Sequence, residues 1–210
     1  MIRRDLLARP ASEVAPELIG AVLRVDSPEG PVQVRLTEVE AYEGPSDPAS
    51  HAWRGPTPRT AVMFGPPGHL YVYFSYGMHW CANIVCHPAG AAGAVLLRAG
   101  EVVGGLSQAR ERRPAARTDR ELGRGPALLT AALAVTGADT GADLLDPRGR
   151  FSLLLPGDPA TVRSGPRVGI NRAVERPWRF WQDSAPSVSA FRRGGRPPAS
   201  GPAGAADSTP

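Results

Sequence analysis

The run Val32–Tyr42 has the composition of a β-strand and carries two carboxylates, Glu38 and Glu40, near its end. Because side chains alternate between the two faces of a strand, both carboxylates share the parity of the apolar residues Val34 and Leu36. A buried, unpaired carboxylate is costly, and burial raises its pKa. Two interpretations are therefore open: the strand reaches a sheet edge at this point, or a functional site requires the charge.

Residues 70–80 are dense in aromatic side chains, although Phe, Trp and Tyr make up only 6% of the chain. Such a run is typical of a hairpin that packs its aromatics into a core. The alternative is a surface on which nucleobases stack. Tyr76 falls at the expected turn, where a planar side chain could enter a base stack and fill the gap left by a flipped nucleotide.

A compact group of His79, Cys81, Cys86 and His87 raises the possibility of a zinc site. Its spacing matches none of the usual zinc patterns, so we expect no metal, and nothing in the chain indicates a cofactor. Two cysteines do not make a disulfide framework, and their odd spacing would place them on opposite faces of one strand.

The elements that must position these residues are mainly hairpins. Strands are predicted over 21–26, 32–41, 69–76, 79–87, 94–99, 151–155, 167–170 and 178–182, and helices over 12–19 and 126–136. Ser12 is expected to cap the first helix and Gly20 to end it, whereas Pro126 begins the second and Gly137 ends it.

The remaining segments are predicted to be irregular. Residues 43–60 form an ordered loop, and the arginine-rich residues 104–124 form a mobile, solvated loop in preference to a DNA clamp. Hairpins with few helices predict an α+β single domain with an antiparallel sheet. We expect this domain to span residues 1–190 and to be followed by a disordered Gly/Pro/Ala/Ser-rich tail, 191–210.

Composition limits the partners and the chemistry. The net charge is +4, which permits a polyanionic partner, and all 24 basic residues are arginine. No lysine amine is therefore present for Schiff-base chemistry, which leaves only the N-terminal amine. No run of 18 apolar residues exists, and the N-terminus lacks the apolar region of a signal peptide. We expect a cytoplasmic protein without a membrane partner.

Taken together, these segments resemble the alkyladenine (3-methyladenine) DNA glycosylase family. The resemblance covers residues 5–190 and is carried, in order, by Thr37 to Pro45, Ser50-His51, Thr57-Pro58-Arg59, Met63-Phe64, Leu70 to Met78, Asn83-Ile84, Val95 to Ala99, Gly125-Pro126 and Pro166 to Ile170. It implies a curved, mostly antiparallel sheet, partly barrel-like, with a few flanking helices and a β-hairpin that inserts into DNA.

The resemblance also implies roles for individual residues. As general base, Glu40 would activate a water that attacks C1′ of a flipped nucleotide, with Arg98 and the carbonyl of Val168 holding that water. The other implied residues are Tyr42, His51 and Tyr73 as walls around the damaged base, Asn83 as a discriminator against guanine, and Tyr76, Met78, Arg59 and Met63 as contacts to DNA. His79 departs from the family, where an aromatic residue is common after the methionine.

The implied activity is that of a monofunctional DNA glycosylase in base excision repair. It would release alkylated or deaminated purines, such as 3-methyladenine, 7-methylguanine and hypoxanthine, and leave an abasic site. Its partner would be double-stranded DNA that contains damaged purines, and it would act as a monomer on the bacterial nucleoid. The alternatives are a non-catalytic damaged-DNA-binding protein of the same fold and an RNA-binding or RNA-modifying protein that uses aromatic stacking.

Overall fold

A computed structural model of the chain describes residues 2–157 and 160–195. Within these residues the strands are β1 (Val22–Val25), β2 (Val32–Tyr42), β3 (Leu70–Ser75), β4 (His79–Cys86), β5 (Gly93–Gly104), β6 (Gly123–Arg124), β7 (Phe151–Leu154), β8 (Val162–Gly165) and β9 (Arg179–Gln182). The helices are α1 (Arg4–Leu7), α2 (Ala11–Glu17), α3 (Leu106–Arg112) and α4 (Pro126–Ala132). The expected α+β class is confirmed.

The described strands form one antiparallel sheet in the order β3-β4-β5-β2-β1-β7. The short strand β6 pairs with β5, and the β8–β9 hairpin attaches to β2. The sheet stays open instead of closing into a barrel. Near its end β2 pairs with β5 on one side and with β9 on the other, so Glu38 and Glu40 do not lie at a sheet edge.

The pairing of β2 with β5 changes register twice around Glu38. Leu36 pairs with Gly100, Glu38 with Ala99 and Val39 with Leu97, which leaves Thr37 and Arg98 without opposite residues. The apolar core accordingly takes Val34 and Leu36 before the irregularity but Val39 and Ala41 after it. The expectation that Glu38 and Glu40 share the face of Val34 and Leu36 is therefore wrong, because an irregularity of this kind reverses the alternation.

Helices cover the apolar face of the sheet, which is the face that carries Val34, Leu36, Val39 and Ala41. α2 buries Val14 and Ala15 in the main core, and α4 buries Leu129 and Ala132 there. Pro126 begins α4 as predicted, but the helix ends at Ala132, and Gly137 opens a short 3-10 turn.

The predicted Ser12 cap is wrong. α2 begins at Ala11 after Pro10 with no side-chain cap, and the backbone N–H of Ser12 instead donates to Glu43 Oε1 at 2.7 Å. This contact ties the helix to the residue that follows β2. Gly20 lies just beyond the helix with φ of +85°, which is consistent with the predicted stop.

Residues 104–124 do not form the predicted solvated loop. β5 continues to Gly104, α3 follows, and β6 returns the chain to the sheet. The Arg112 guanidinium secures α3 by donating to the carbonyl of Ala132 at 3.1 Å and to Ser27 Oγ at 2.6 Å. The predicted loop rested on the many arginines of this segment. One of them, Arg112, instead ties the segment to α4 and to the β1–β2 turn.

The strand predicted over 167–170 is also wrong, because this segment is irregular and the neighbouring strand is β8. Gly169 has φ of +74°, which is incompatible with a strand, and its N–H donates to the carbonyl of Arg192 at 2.9 Å. Of the predicted tail, residues 191–195 thus include a contact to this segment, and 196–210 lie outside the described residues. No helix of the described ranges is long and apolar enough to span a bilayer.

Gly44, two residues beyond the end of β2, offers a test of how tightly the chain is held at this point. Its φ is +55°, and an added Cβ would lie 2.2 Å from the carbonyl oxygen of Ala92. Gly55 has a φ of +89° but no atom within 4 Å of such a Cβ. We expect Gly55→Ala to cost about 1–2 kcal/mol in backbone strain and Gly44→Ala about 1–3 kcal/mol more from overpacking. Urea unfolding measures both, and equal losses would contradict the close approach.

Candidate active site

A cavity of about 510 Å³ opens on the face of the sheet that carries Glu38 and Glu40. It is walled by β2, β3, β4 and β5, by the loop around His51, by Pro126 and by residues 168–170. Nine of the eleven residues singled out from the sequence line it: Tyr42, His51, Arg59, Met63, Tyr73, Tyr76, Asn83, Arg98 and Val168. Of the other two, Glu40 contacts the side chains of Tyr42 and Arg98 and the backbone N–H of Val168. Met78 lies on the adjoining β3–β4 hairpin.

Glu40 is completely buried beneath the cavity. Its Oε2 accepts a hydrogen bond from the Tyr42 hydroxyl at 2.8 Å, and its Oε1 accepts one from the Val168 N–H at 2.7 Å. Arg98 Nη1 lies 3.5 Å from Oε2. Each carboxylate oxygen therefore has a donor, which is the arrangement expected of an ionised group.

Burial raises the pKa of Glu40 above that of an ordinary glutamate. The charge of Arg98, the Val168 N–H and the Tyr42 hydroxyl each oppose this rise, and the nearby charge of Glu38 adds to it. A carboxylate with a raised pKa accepts a proton more readily than a surface glutamate does. The hydrogen-bond partners of Glu40 are those that an ionised carboxylate requires, so its ionised form keeps them.

Arg98 is fixed by a second buried carboxylate, Glu38. Arg98 Nε donates to Glu38 Oε1 at 2.9 Å, and Arg179 Nε donates to the same oxygen at 2.7 Å. The Ser189 N–H and hydroxyl donate to Glu38 at 2.6 and 2.9 Å, so this carboxylate accepts four hydrogen bonds. Arg98 is only 7% exposed, and its guanidinium lies between the two glutamates.

Aromatic rings form one wall of the cavity. Tyr71 and Tyr73 stack with centroids 5.6 Å apart, and the His51 ring meets Tyr73 edge-on at 4.6 Å. His51 Nδ1 lies 3.0 Å from the Tyr71 hydroxyl, and Arg59 lies over the outer side of Tyr73, with 5.4 Å between its guanidinium carbon and the ring centroid. Partial withdrawal from water, together with the charge of Arg59, lowers the pKa of His51 to about 4. His51 is therefore neutral at pH 7.

Two further wall residues differ in their roles. Asn83 is 4% exposed, and its side-chain amide donates to the Tyr71 carbonyl at 3.0 Å, which fixes its orientation toward the cavity. Met63 is 2% exposed and packs with Tyr71, Val85 and other residues in a second apolar cluster, so it lines the cavity from within the fold.

The β3–β4 hairpin projects beyond the cavity and ends in exposed apolar side chains. Tyr76 is 88% exposed and has a left-handed φ of 51°, and Met78 is 68% exposed. Phe74 is 48% exposed and packs against Trp80 at 4.6 Å between centroids. The hairpin therefore does not pack its aromatics into a core throughout, since its tip presents them to solvent.

A second buried ion pair supports the Tyr42 side of the cavity. Arg167 and Asp47 are both buried and form a bidentate pair, with 2.9 Å from Arg167 Nη2 to Asp47 Oδ1. Arg167 Nη1 also donates to the Ala41 carbonyl at 2.9 Å, and the guanidinium carbon lies 4.6 Å from the Tyr42 ring centroid. This pair joins the loop after β2 to the segment that presents the Val168 N–H.

Sequence reasoning missed several residues that build this site: Asp47, Arg167, Arg179 and Ser189. Arginines and acids far apart in the sequence give no local signal of pairing, and a serine in a Ser/Ala/Pro-rich stretch gives none either. Among the residues that these four contact, Glu38 was singled out from the sequence by its position in an apolar strand. For Val168, the observed contact to Glu40 is made by its N–H, and the implied role of its carbonyl stays a prediction.

The cysteines and histidines whose clustering in the sequence raised the possibility of zinc are separated in the fold. Cys86 packs in the core and Cys81 lines the cavity, which confirms that they face opposite sides of β4. Across residues 2–157 and 160–195, no three or more His, Cys, Asp and Glu side chains are arranged to hold a metal ion.

Comparison with known proteins gives this arrangement a context. A model of the methylpurine-DNA glycosylase (MPG) family matches residues 5–186. A protein of Streptomyces avermitilis named "Putative 3-methyladenine DNA glycosylase" is 54% identical over 195 residues, which cover 91% of this chain and 92% of that protein. One of Nocardia farcinica with the same name is 54% identical over 201 residues, covering 92% of each.

These matches extend over nearly all of the described chain and confirm the resemblance. They place the chain in the class of DNA glycosylases, which are proteins of DNA repair. The chain belongs to the methylpurine-DNA glycosylase family.

The Arg167–Asp47 pair leads to a prediction about stability. Asp47→Asn leaves a buried guanidinium without its charge partner, so we expect a loss of about 3–5 kcal/mol in the free energy of unfolding. The matched control is Asp119→Asn, since Asp119 forms an equally bidentate pair with Arg110 but both side chains are at least half exposed. We expect that change to cost less than about 1 kcal/mol. Similar losses in urea unfolding would refute a structural role for the buried pair.

Proposed function

We propose that this protein is a monofunctional DNA glycosylase that flips alkylated or deaminated purines out of double-stranded DNA. Bound in the cavity, the nucleotide would lose its base when a water activated by Glu40 attacks C1′, which leaves an abasic site. The proposed substrates are 3-methyladenine, which the names of the relatives specify, together with 7-methylguanine and hypoxanthine.

The observation that carries this proposal is the buried Glu40 carboxylate beneath an open, aromatic-walled cavity. Its raised pKa makes it a suitable proton acceptor, while the Tyr42 hydroxyl and the Val168 N–H orient both of its oxygens. A fixed negative charge also stabilises the positive charge that develops on the sugar as the glycosidic bond breaks.

The cavity wall fits an electron-poor, planar ligand. Tyr42, Tyr73 and His51 present ring surfaces, and a cavity of about 510 Å³ lies within the range of small-molecule sites. Purines alkylated at ring nitrogens carry positive charge, which favours contact with the faces of tyrosine rings. A neutral His51 adds a hydrogen-bonding group without repelling such a base. Asn83, whose side-chain amide donates to the Tyr71 carbonyl, would discriminate against the exocyclic amine of guanine.

Water is the proposed nucleophile because the chain contains no lysine. A glycosylase that also cleaves the strand uses an amine to form a Schiff base, and no side chain here provides one. The damaged base would therefore leave by hydrolysis, and strand cleavage would be left to other enzymes.

The proposed partner is duplex DNA, which the protein would engage as a monomer on the nucleoid of a bacterium. The exposed Tyr76 at the hairpin tip supports this, since an aromatic ring with 88% of its surface in water is stabilised by stacking between bases. Met78 would accompany Tyr76, and Arg59 at the cavity mouth would contact a phosphate. Met63 would contact the DNA from its buried position in the cavity wall.

Glu40→Gln tests the proposed chemistry. The amide keeps the shape of the side chain but cannot accept a proton, so we expect base release to fall by about 10²–10⁴-fold. Affinity for lesion DNA should change little, because Glu40 lies beneath the cavity. The measurement is alkali-dependent cleavage of an oligonucleotide containing hypoxanthine or 3-methyladenine, in single turnover.

The matched control for that variant is Glu101→Gln, which changes a partly exposed glutamate of β5 that lies beside Arg35. We expect it to retain full activity. Full activity in Glu40→Gln would remove Glu40 as the base. Tight binding of lesion DNA by the wild-type protein without base release would instead favour a non-catalytic damage-binding protein.

Tyr76→Ser tests the wedge. Loss of base stacking is worth about 1–3 kcal/mol, so duplex affinity should fall by about 5- to 150-fold. The midpoint temperature of thermal unfolding should be unchanged, because the Tyr76 ring makes little contact with the rest of the protein. Val103→Ser removes another exposed apolar side chain, 42% exposed on β5, and is expected to leave affinity unaltered. An unchanged dissociation constant for Tyr76→Ser would exclude intercalation.

A further inference from the structure

We infer that Glu38 is a positioning residue for this reaction: with Ser189 and Arg179 it holds the Arg98 guanidinium at a set distance from Glu40. This inference rests on the proposed role of Glu40 as the base. It adds to the site a carboxylate that faces no substrate and a serine that lies just beyond the family match, which ends at residue 186.

The distances show how Arg98 is shared between the two carboxylates. Its Nε lies 2.9 Å from Glu38 Oε1, whereas its Nη1 lies 3.5 Å from Glu40 Oε2. Arg98 is therefore hydrogen-bonded to Glu38 and only within ion-pair distance of Glu40. Its Nη2 lies 3.3 Å from the Ser189 hydroxyl, so two of its three nitrogens have partners other than Glu40.

Glu38 is suited to fixing the position of Arg98 because its own carboxylate is fixed by several hydrogen bonds. It is completely buried, and its two oxygens accept hydrogen bonds from Arg98, Arg179 and both donors of Ser189. Arg179 Nη2 also donates to the Ser189 carbonyl at 2.7 Å. Two carboxylates and two guanidiniums thus balance in charge, and the carboxylate that anchors Arg98 cannot easily move.

The position of Ser189 makes the segment after β9 part of this arrangement. The Ser187 hydroxyl pairs with Thr37 Oγ1 at 2.7 Å, and the Val188 carbonyl accepts from Arg124 Nε at 3.1 Å. Ser187 therefore secures the same segment without touching Arg98 or Glu38. This separates attachment of the segment from the contact to Glu38, and it provides a matched control.

The consequence for Glu40 follows from the groups that face it. These are Arg98 from β5, Tyr42 and Glu38 from β2, Tyr73 from β3, and the Val168 N–H and Arg167 from the loop before β9. Removing the charge of Glu38 frees Arg98 to approach Glu40 and also removes a negative neighbour. Both effects favour the ionised form, so the pKa of Glu40 falls and it becomes a weaker base.

Three variants of the full-length protein test this inference: Glu38→Gln, Ser189→Ala and Ser187→Ala. Each is assayed for base release from a hypoxanthine-containing duplex in single turnover across a pH series. Lesion-DNA affinity and the thermal midpoint are measured alongside. Ser189→Ala is included because it removes one hydroxyl and leaves every charge in place, so the test stands even if Glu38→Gln folds poorly.

We expect Glu38→Gln to lower the rate at neutral pH by about 10²-fold, the loss that a small misplacement of a reacting group can cause. The acidic limb of its rate profile should move to lower pH, because the pKa of Glu40 falls. Ser189→Ala should show a smaller loss of rate, since it weakens one anchor of Arg98. Ser187→Ala should keep the wild-type rate and acidic limb. DNA affinity should be unchanged in all three.

Two results would overturn the inference. One is that Glu38→Gln and Ser189→Ala lower the thermal midpoint but keep the wild-type rate and acidic limb, which indicates a purely structural role. The other is that Ser187→Ala lowers the rate as much as Ser189→Ala, which makes attachment of the segment the only requirement. If the wild-type protein releases no base, the proposed function itself fails; if release requires Glu40 but not Glu38, only this inference fails.

Discussion

The structure of the site depends on the neutralisation of two carboxylates that β2 buries completely. A buried charge is tolerated only when it is paired and hydrogen-bonded, so Glu38 and Glu40 require cations and donors from elsewhere in the chain. β5 provides Arg98, β9 provides Arg179, and the segment before β9 provides the Val168 N–H. The neighbours of β2 are thus constrained by charge as well as by backbone pairing, which explains why residues so distant in sequence converge here.

The irregular register of β2 and β5 makes this pairing compatible with a hydrophobic core. A regular strand would direct Glu38 and Glu40 to the same face as Val34 and Leu36, into the apolar layer under α2 and α4. The shift at Thr37 returns Val39 and Ala41 to that layer and turns both glutamates to the cavity. The matching shift on β5 leaves Arg98 without an opposite residue. These two register shifts together place both the acids and their cation on the face of the sheet that carries the cavity.

What the sequence could and could not predict follows from the range of the interactions involved. Hairpins and the start of α4 at Pro126 depend on neighbouring residues, and they were predicted correctly. The Ser12 cap, the 104–124 loop and the 167–170 strand failed because distant contacts decide them: Glu43 takes the Ser12 N–H, Arg112 ties α3 to α4, and Arg167 pairs with Asp47. Within the site, motif similarity located the wall and Glu40, whereas Ser189 had no signal in the sequence.

The site combines a rigid floor with an exposed tip, and each suits a different step of the proposed base release. Glu40, Glu38 and Arg98 are at most 7% exposed and have fixed partners, so in the proposed reaction the charges that meet the sugar would require little reorganisation. Tyr76 lies at the opposite extreme, exposed and in a left-handed backbone conformation. Exposure of an apolar ring is unfavourable in water and would be relieved if DNA covered it as proposed, so the tip would gain most on binding. A division of this kind would let recognition tolerate varied DNA while the proposed chemistry beneath keeps a single geometry.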